Sequence, residues 1–329
     1  MKWWLGVLVA VAFALFAPRA GAVEVHLLTM GPTNYLFSRW GHTLACAVED
    51  GQSEGICYDY GVPDTTDVND MAWRSYRGKP AFTVVRIPMT QVLDAYKAQD
   101  RNIERQKLPL SPDEAKRLAE LLERDAASRM TYAYHPYYAN CSTKVRDHID
   151  AVTSGKLHAG ADVPRANDAR LLRHLSEEPL SGQFVELGLM AITLGTPAER
   201  KPTIWESQFQ PTGLRDAVRE RLGADPELVY DRKEVLLPAS QNGRFIVIVI
   251  GLVLAAIAVR NARRAEQTWK LTKMGVGVAL GLFGVIVDFV ALTCAFPEFS
   301  RNWALLVLVP TDLALGWLSG VRLRRYLEV

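Results

Sequence analysis

The chain has 329 residues, with 38 lysines and arginines against 36 aspartates and glutamates, so its formal net charge is only +2. A charge this close to balance excludes the strongly basic surface that is typical of nucleic-acid-binding proteins, and we expect no nucleic-acid partner. The basic residues that do cluster flank apolar segments near the C-terminus, where they indicate membrane orientation.

Residues 1–22 have the pattern of a secretory signal peptide. Lys2 precedes an apolar run over residues 3–16, which the small-residue sequence APRAGA follows, and exported precursors share this order. Cleavage after Ala22 would leave Val23 as the mature N-terminus, and an uncleaved signal anchor is the alternative. Both interpretations predict that the residues which follow are exported.

The segment from residue 25 to residue 87 favours β-structure. Short runs of β-branched, aromatic and alternating apolar residues are separated by turns rich in Gly, Pro and Asp, and they predict a small antiparallel sheet. These runs are VEVHLLTM, HTLACAV, GICYDYG and FTVVRIP.

From Thr90 onward the period of the apolar residues becomes helical. Ser111 is placed to cap one of these helices, with Pro112 in its first turn. The sequence therefore predicts an α+β fold, in which a sheet half is joined to a helical half. The predicted helices cover residues 90–106, 110–129, the residues after Asn140, 182–194 and 213–222.

Three apolar stretches near the C-terminus, at 245–259, 274–296 and 303–321, approach the length needed to cross a bilayer. Basic residues fill the connector after the first stretch and follow the third, so the positive-inside rule places both segments in the cytoplasm. The signal peptide independently predicts the same topology. Asp288 and Asp312 lie inside the second and third stretches, where an acid either serves function or is protonated or hydrogen-bonded between helices.

These elements divide the chain into four expected parts. A signal peptide over 1–22 and an α+β domain over 23–155 come first. An exported helical appendage over 156–243 follows, and a membrane domain with three transmembrane helices occupies 244–329.

The four cysteines are expected to serve different purposes. Cys294 lies in an apolar stretch and is expected to be inert. Cys46 and Cys57 lie on consecutive predicted strands, and a symmetric hairpin sets them opposite each other, so an oxidising compartment favours a disulfide between them. Cys141 is then unpaired outside the cytoplasm, which indicates a functional thiol. A buried small apolar residue is the alternative.

Cys141 is predicted to open a helix, whose N-terminal charge and free N–H groups would stabilise a thiolate and later an oxyanion. His42 is the best placed base, because it begins a strand after a glycine turn. The hairpin register puts Asp59 on the same face as His42, where it would orient and charge the imidazole. If a bulge intervenes, Asp59 is instead a solvated turn acid.

The remaining histidines are weaker candidates. His135 is the rival base, or alternatively a packing or substrate-contacting residue. His148 is expected on the surface of the helix after Cys141. No group of candidate catalytic residues accompanies His26, His158 or His174 in the sequence. Because no two histidines show metal-ligand spacing, we expect no metal site. We also expect no cofactor.

The motifs RWGHT, CYDYG and NCSTKVRD, the segment LGTPAERKPTIWESQFQP and the C-terminal apolar stretches resemble bacterial apolipoprotein N-acyltransferases of the Lnb kind. The order of His before Cys is also similar to that of circularly permuted papain-like folds, which include lecithin:retinol acyltransferase-like and NlpC-type enzymes. The resemblance implies such a fold for residues 23–155. Family members commonly have FLP after the Trp-Glu segment, where this chain has FQP at 209–211.

The resemblance implies a two-step acyl transfer at the bacterial inner membrane, with the catalytic domain on the periplasmic side. Cys141 would take an acyl chain from a membrane phospholipid as a thioester, and His42 would move the proton. The α-amine of a lipoprotein's diacylglyceryl-cysteine would accept the chain. The alternatives are a cysteine peptidase or amidase acting on cell-wall peptides, a phospholipase, and a non-catalytic scaffold.

Further residues are expected to support the reaction. The backbone N–H of Cys141, with that of Ser142, is the candidate oxyanion hole, and Asn140 either caps the helix or contributes its amide. Arg146 and Asp147 are expected to form an ion pair that holds this helix against the sheet. Candidate substrate contacts are Trp40, Tyr58, His135, Tyr138 and Trp205, of which Trp205 is alternatively a packing anchor.

Overall fold

The computed structural model describes residues 23–35, 38–52, 54–180, 182–235, 243–262, 264, 266–318 and 322. The predicted signal peptide lies outside these described residues. The strands are β1 Val23–Met30, β2 His42–Glu49, β3 Ile56–Pro63, β4 Ala81–Pro88, β5 Ile103–Lys107, β6 Thr131–Ala133 and β7 Glu227–Tyr230. The helices are α1 Val68–Tyr76, α2 Met89–Ala98, α3 Pro112–Ala127, α4 Cys141–Val152, α5 Leu172–Glu177, α6 Phe184–Thr193, α7 Ile204–Ser207, α8 Pro211–Leu222, α9 Gly243–Ala262 and α10 Glu266–Thr293.

The seven strands form one antiparallel sheet in the order β6-β4-β3-β2-β1-β5-β7. The four strands predicted from the sequence are confirmed as β1 to β4. In the β2–β3 hairpin Cys46 lies opposite Cys57 and Ala45 opposite Tyr58, which is the symmetric register expected. The fold is therefore α+β, with the predicted hairpin at the centre of its sheet.

The helix predicted over 90–106 is wrong in its second half. α2 ends at Ala98, and the chain turns through Asp100, whose φ of 50° is left-handed and ends the helical path. β5 then begins at Ile103, which pairs with Met30 of β1. Pairing with a strand far away in the sequence overrides the helical tendency of this segment.

Helices cover both faces of the sheet. On one face Leu118 of α3, Val145 of α4 and Leu214 of α8 pack against strand residues such as Leu27 and Tyr60. On the other face Met89 and Val92 of α2 pack against residues that include Leu44 and Cys57. Ser111 caps α3 with a reciprocal bond to Glu114, as the sequence predicts. This sandwich fixes the sheet between two apolar layers.

The expected helical appendage does not begin as a separate unit at residue 156. Leu214 and Val218 of α8 lie in the same core as the sheet, and β7 extends the sheet by pairing with β5. Helices α5 to α7 connect the sheet to these returning elements. The sheet domain consequently includes residues up to Tyr230.

Among the residues that the structure describes, two helices, α9 and α10, are long and apolar enough to cross a membrane. The third predicted span is not a continuous helix over its described residues. It forms two 3-10 helices, Trp303–Leu306 and Pro310–Trp317, because Pro310 cannot donate a backbone hydrogen bond and interrupts the helical ladder.

The second of these 3-10 helices packs closely against α10 through a stripe of glycines. A Cβ atom at Gly277 would lie 2.4 Å from the carbonyl oxygen of Asp312, and one at Gly281 would lie 2.6 Å from Leu313. Small residues at this spacing let backbones approach closely inside a membrane. Asp312 is buried in this contact and Asp288 is half-buried.

The residues that follow α10 are bonded directly to the sheet domain. The N–H of Ala295 donates to the carbonyl of Arg77 at 2.9 Å, and the N–H of Gly195 donates to the carbonyl of Glu298 at 2.7 Å. The side-chain amide of Asn302 donates to the carbonyl of Thr193 at 3.0 Å. These contacts fix the outer end of α10 against the sheet domain.

Candidate active site

His42 and Asp59 form a hydrogen-bonded pair at the end of the β2–β3 hairpin. The Nε2 atom of His42 lies 2.8 Å from Oδ1 of Asp59, and each side chain is only 14% exposed. Both project from the face of the sheet that α2 covers, because each lies an even number of residues from the Cys46–Cys57 pair. The bulge that begins at Asp59 affects its pairing with β4 and leaves this arrangement intact.

Gly61 provides the space in which the His42 ring lies. A Cβ atom at this position would be 2.5 Å from Cε1 of His42 and 3.1 Å from Oδ1 of Asp59, so any side chain would displace the pair. The N–H of Gly61 also donates to Oδ1 of Asp59 at 2.7 Å. The motif YDYG thus supplies the carboxylate, the space and one of the hydrogen bonds that hold the carboxylate.

Cys141 is the first residue of α4, and Asn140 caps this helix. Oδ1 of Asn140 accepts from the N–H groups of Ser142 and Thr143, both at 2.9 Å. Its amide donates to the carbonyls of Pro136 and Phe209 at 2.7 and 3.0 Å. The capping role is therefore confirmed, and the Asn140 side chain has no hydrogen-bonding capacity left for a reacting group.

The thiol and the imidazole are coupled electrostatically. Burial raises the pKa of Cys141, but the charge of His42, a hydrogen bond with His42 and the N–H of Thr43 outweigh burial and lower the pKa. Burial lowers the pKa of His42, but the charges of Asp59 and Cys141 outweigh it, so the pKa lies well above its ordinary value. These opposite shifts favour a thiolate beside an imidazolium.

Asp59 remains a carboxylate in this site. Burial raises its pKa, but the charge and hydrogen bond of His42, together with the N–H of Gly61, lower it below its ordinary value. A negative charge next to Nε2 then stabilises the protonated ring. The other ring nitrogen is left for the thiol.

Ser142 does not have the free N–H expected of an oxyanion donor. Its N–H is engaged by Asn140, and its buried hydroxyl lies 3.0 Å from the hydroxyl of Thr43 on β2. The expectation for Ser142 is therefore wrong, because the cap uses the donor. Ser142 instead joins α4 to the strand that carries His42. The N–H of Cys141, in the first turn of α4, has no acceptor within the helix.

Arg146 and Asp147 form the predicted ion pair, with 2.7 Å between their closest atoms. The pair does not hold α4 against the sheet as expected, because the buried guanidinium lies 3.7 Å from the centre of the Trp205 ring and donates to the carbonyl of Trp205 at 3.0 Å. Trp205 also lies against His158, with 4.4 Å between the ring centres. Trp205 is therefore a packing anchor between α4 and the segment after it.

Tyr58 and Trp40, two of the predicted substrate contacts, have different surroundings in the structure. Tyr58 is 4% exposed, lies on the opposite face from His42 and donates to Glu123 at 2.8 Å. This burial excludes Tyr58 as a substrate contact, because the strand alternation turns it into the core. Trp40 is half-buried, just before the glycine turn at Gly41, whose φ is 77°.

His135 and Tyr138 lie at the junction with the membrane domain. The His135 ring centre is 4.6 Å from that of Phe296 and 4.5 Å from that of Tyr138, and its Nε2 lies 3.5 Å from the buried carboxylate of Glu298. Burial lowers the pKa of His135 and Glu298 opposes this shift. Among the described residues no contact joins His135 to Cys141. The loop over residues 135–140, which precedes Cys141, nevertheless packs against the residues that follow α10.

His148 is not the surface side chain expected. Its Nε2 lies 2.8 Å from the buried carboxylate of Asp125 and 3.1 Å from the hydroxyl of Tyr60. These bonds join α3, α4 and β3 on the face opposite His42. The pattern of α4 could have indicated this, because His148 follows Val145 by three residues and so shares its buried face.

Two further residues near the thiol were not singled out from the sequence. The Tyr96 ring of α2 stacks on the His42 ring with 6.2 Å between centres, and the guanidinium of Arg101 lies 4.7 Å from the centre of the Tyr96 ring. Tyr96 could have been found from the apolar stripe that it shares with Met89 and Val92. Arg101 lies in the polar sequence QDRN, which has the appearance of an ordinary surface turn.

Within the part of the chain that the structure describes, no three His, Cys, Asp or Glu side chains are grouped as metal ligands. The geometry offers instead a nucleophile, a base and a group that orients the base. Because the thiol lies at a helix N-terminus, the same site provides a donor for a developing oxyanion.

Comparison with known proteins supports the assignment of both regions. Residues 18–175 match the family model described as the Lnb N-terminal periplasmic domain, and residues 237–327 match the Lnb transmembrane domain. The two matches together cover about three quarters of the chain. Searches of curated proteins and of solved structures found no match. A periplasmic domain joined to a membrane domain, each matching its counterpart in order, shows that the chain belongs to the Lnb family.

Proposed function

We propose that the protein is a lipoprotein N-acyltransferase that works through a thioester at Cys141. The acyl donor is a membrane phospholipid, and the acceptor is the N-terminal amine of the diacylglyceryl-cysteine in a lipoprotein. The protein acts in the bacterial inner membrane, with Cys141, His42 and Asp59 on the periplasmic side.

One observation carries this proposal. The loop over residues 135–140 ends at a thiol that is paired with His42, and the same loop packs against the residues that leave membrane helix α10. A nucleophile whose preceding loop is fixed at the end of a membrane helix is well placed to act on an ester that resides in the bilayer. A soluble peptide substrate would not require this placement.

In the first step the Cys141 thiolate attacks an acyl ester carbonyl of the phospholipid. The carbonyl oxygen becomes an oxyanion, which the N–H of Cys141 stabilises at the N-terminus of α4. The C–S bond remains and the ester C–O bond breaks as the imidazolium of His42 gives its proton to the departing alkoxide. The products are a lysophospholipid and an acyl-Cys141 thioester.

In the second step the neutral α-amine of the lipoprotein attacks the thioester carbonyl. His42, now uncharged, accepts the proton that the amine loses, and the C–S bond breaks to restore the thiolate. The acyl chain becomes an amide on the lipoprotein. Asp59 stabilises the imidazolium at both stages.

Aromatic residues of α1 support a position close to the lipid surface. The ring of Tyr76 lies 4.8 Å from Phe289 of α10, and Trp73 lies 6.2 Å from the same ring while remaining 54% exposed. Tyr and Trp are enriched at membrane interfaces, because their rings are apolar and their tips are polar. The sheet domain therefore has a side suited to the bilayer surface.

The chain order of the site supports a circularly permuted papain-like fold. His42 and Asp59 come from strands that precede the nucleophile helix α4, whereas the unpermuted order places the nucleophile first. We propose this fold for the sheet domain. A solved structure that superposes β2, β3 and α4 on such an enzyme, with the thiol and imidazole aligned, would test it.

Mass spectrometry of a lipoprotein N-terminal peptide tests the activity. Cells that depend on this protein for N-acylation should show an N-linked acyl group with the wild-type chain. Cys141→Ser and His42→Ala, expressed at equal levels, should each lower N-acylation at least about 100-fold, because removal of a nucleophile or its base abolishes covalent catalysis. An unmodified lipoprotein with the wild-type chain would refute acyl transfer.

The same preparation separates the alternative reactions. Hydrolysis of phospholipid without an amine product would identify a phospholipase, and cleavage of cell-wall peptides without phospholipid would identify a peptidase or amidase. Full N-acylation with Cys141→Ser would exclude a role for the thiol. His148→Ala serves as a matched control, because His148 lies on the opposite face of the sheet from His42.

A further inference from the structure

Arg101 is a buried arginine that lacks a carboxylate partner among the described residues. The residue is only 4% exposed, and its Nε donates to the carbonyl of Gly31 at 2.7 Å. Nη2 is buried without any hydrogen-bond partner in the described structure. A buried cation without a counter-ion is costly, so its retention indicates a ligand that supplies the missing charge.

The neighbouring loop holds Arg101 in this position. Asp100 has a φ of 50° and its carboxylate accepts from the hydroxyl of Tyr230 at 2.7 Å and from the N–H of Glu234 at 2.7 Å. The left-handed turn is therefore secured by β7 and the residues after it. The acid beside Arg101 in the sequence is engaged elsewhere and does not neutralise it.

Arg101 lies close to the reacting groups. Its guanidinium is 4.7 Å from the centre of the Tyr96 ring, whose centre is 6.2 Å from that of His42. Together these distances place the guanidinium no more than about 11 Å from the His42 ring. Burial lowers the pKa of Arg101, and the anionic forms of Tyr96 and Cys141 oppose that shift.

The size of a glycerophospholipid fits this separation. Five covalent bonds join its phosphorus atom to the carbonyl carbon of the middle ester, which corresponds to roughly 5–6 Å in an extended conformation. A charge-assisted hydrogen bond from a guanidinium to phosphate adds about 3 Å, and the attacking sulfur lies about 3 Å from the carbonyl carbon. One donor molecule can therefore span the distance from Arg101 to the His42 ring, to which Cys141 is hydrogen-bonded.

We propose that Arg101 forms an anion-binding subsite that receives the phosphodiester of the acyl donor while Cys141 attacks its ester. The proposal deepens the acyl transfer proposed above and rests on phospholipid as its donor. A guanidinium suits a phosphodiester, because its planar N–H groups can donate to two phosphate oxygens. Arg39 is also buried with unpaired nitrogens, but the ionisable group that it faces is Glu186 of α6.

The test measures protection of Cys141 from alkylation by neutral N-ethylmaleimide in the purified full-length protein. The ligands are 1,2-di-O-hexylglycerophosphocholine, whose ether bonds cannot react, the uncharged 1,2-di-O-hexylglycerol, and inorganic phosphate. We expect the phosphoether lipid to protect the wild type at the lowest concentration. Inorganic phosphate should not protect at that concentration, because it lacks the apolar chains.

Arg101→Gln should raise the phosphoether lipid concentration needed for half-protection at least about 10-fold, which is the loss expected for a hydrogen bond to a charged group. For the uncharged ether lipid, the concentration that Arg101→Gln needs for half-protection should stay within about 2-fold of the wild-type value. Arg101→Lys keeps the charge but loses the planar donor, so its half-protecting concentration of phosphoether lipid should lie between those of the wild type and Arg101→Gln. Arg105→Gln is the matched control, because Arg105 lies on the following strand and is already paired with Glu227.

Equal weakening of both ether lipids by Arg101→Gln would show a structural role and overturn the subsite. Unchanged protection by the phosphoether lipid, or protection of the wild type by inorganic phosphate at the same concentration, would also overturn it. If Arg101→Gln does not fold, Arg101→Lys tests the subsite by the same comparison of the two ether lipids. Binding through Arg101 without N-acylation would refute the acyl transfer alone, whereas full N-acylation with Arg101→Gln would refute the subsite alone.

Discussion

At the scale of single residues, the site depends on three groups that act on one imidazole. Asp59 lies 2.8 Å from Nε2 of His42, and the Tyr96 ring stacks on the imidazole. The charge of Cys141 raises the pKa of His42. Each contact limits the orientation or the charge of the ring. The thiolate depends on this charge, because burial alone would favour the neutral thiol.

Asp59→Asn tests the contribution of the carboxylate charge. The amide keeps an oxygen acceptor for His42 but no longer raises the pKa of His42, so the imidazolium is lost at lower pH. Because the imidazolium lowers the pKa of Cys141, the inflection of Cys141 alkylation should move to higher pH by about one unit, or about 10-fold in rate at neutral pH. Alkylation rates measured with neutral iodoacetamide between pH 5 and pH 10 would show this shift.

Asp64→Asn is the control for Asp59→Asn, since Asp64 lies beyond the same strand and pairs with Arg74. The Asp59 variant should also change the dependence of stability on pH. The folded-state pKa of Asp59 is depressed, so its contribution is present above the unfolded pKa and is lost as pH falls through the folded value. An unchanged alkylation profile would contradict the role given to Asp59.

Gly61→Ala tests whether the space beside His42 is required. The φ of Gly61 is not left-handed, so alanine is disfavoured by contact with the His42 ring and not by the backbone. We expect at least a 10-fold slower alkylation of Cys141 with about 1–3 kcal/mol lower stability, as for other overpacked sites. Gly188→Ala in α6 is the control, because no atom lies within 4 Å of its added carbon. Equal alkylation rates in both variants would exclude a steric role for Gly61.

At the scale of elements, the N-terminus of α4, which carries Cys141, is bonded to two distant parts of the chain. Asn140 satisfies two N–H groups of the helix and also donates to the carbonyl of Phe209. Ser142 reaches Thr43 on β2. The helix is thereby fixed both to the strand of His42 and to the segment before α8.

Asn140→Ala should destabilise the protein more than the loss of an ordinary cap. A cap contributes about 1 kcal/mol, and the lost bonds to two carbonyls add roughly 1 kcal/mol each. Ser111→Ala removes the cap of α3, which is exposed and distant from the site. This change should lower the free energy of unfolding by only about 1 kcal/mol, the contribution of a cap. Thermal unfolding measures both costs, and alkylation of Cys141 should slow only in the Asn140 variant. Similar melting temperatures for the two variants would contradict this role of Asn140.

The hairpin shows why part of the site was predictable. Its register follows from one short turn, so the Cys46–Cys57 disulfide and the shared face of His42 and Asp59 could be derived from spacing alone. The N-cap of α4 was predictable for the same reason, since capping involves adjacent residues.

Long-range pairing explains what the sequence did not reveal. β5 depends on β1, which lies far before it in the chain, and its own residues favour a helix. Arg101 is buried in a loop that contacts Gly31 after β1 and, through Asp100, Tyr230 of β7. The Ser142 hydroxyl likewise contacts Thr43 of β2, which lies far before it in the chain. The last apolar segment is interrupted at Pro310 and packs against the glycines of α10, and hydropathy averages register neither feature.

At the scale of the whole molecule, the loop after α10 is placed between the membrane helices and the sheet domain. Glu298, Asn302 and Ala295 all contact the sheet domain there. The family match gives that domain as periplasmic, so this loop is on the periplasmic side. The basic connector between α9 and α10 is then at the opposite end of these helices.

Cysteine labelling in intact cells tests this topology. In a Cys141→Ser, Cys294→Ser background, R301C should react with a membrane-impermeant maleimide before permeabilisation, because Arg301 is exposed in the periplasmic loop. R264C in the basic connector, which is also exposed, should react only afterwards. Labelling of both residues from the same side would contradict the two-helix arrangement.

The Cys46–Cys57 bond has a consequence for the order in which the chain matures. The two sulfurs are separated by 11 residues and both precede Cys141 by a long stretch of chain. If export proceeds from the N-terminus, we expect the first two thiols to meet an oxidant before the third one emerges. Early pairing would remove the two thiols that could trap Cys141 in a wrong disulfide. We therefore expect the order of the cysteines along the chain to keep Cys141 out of wrong disulfides during export.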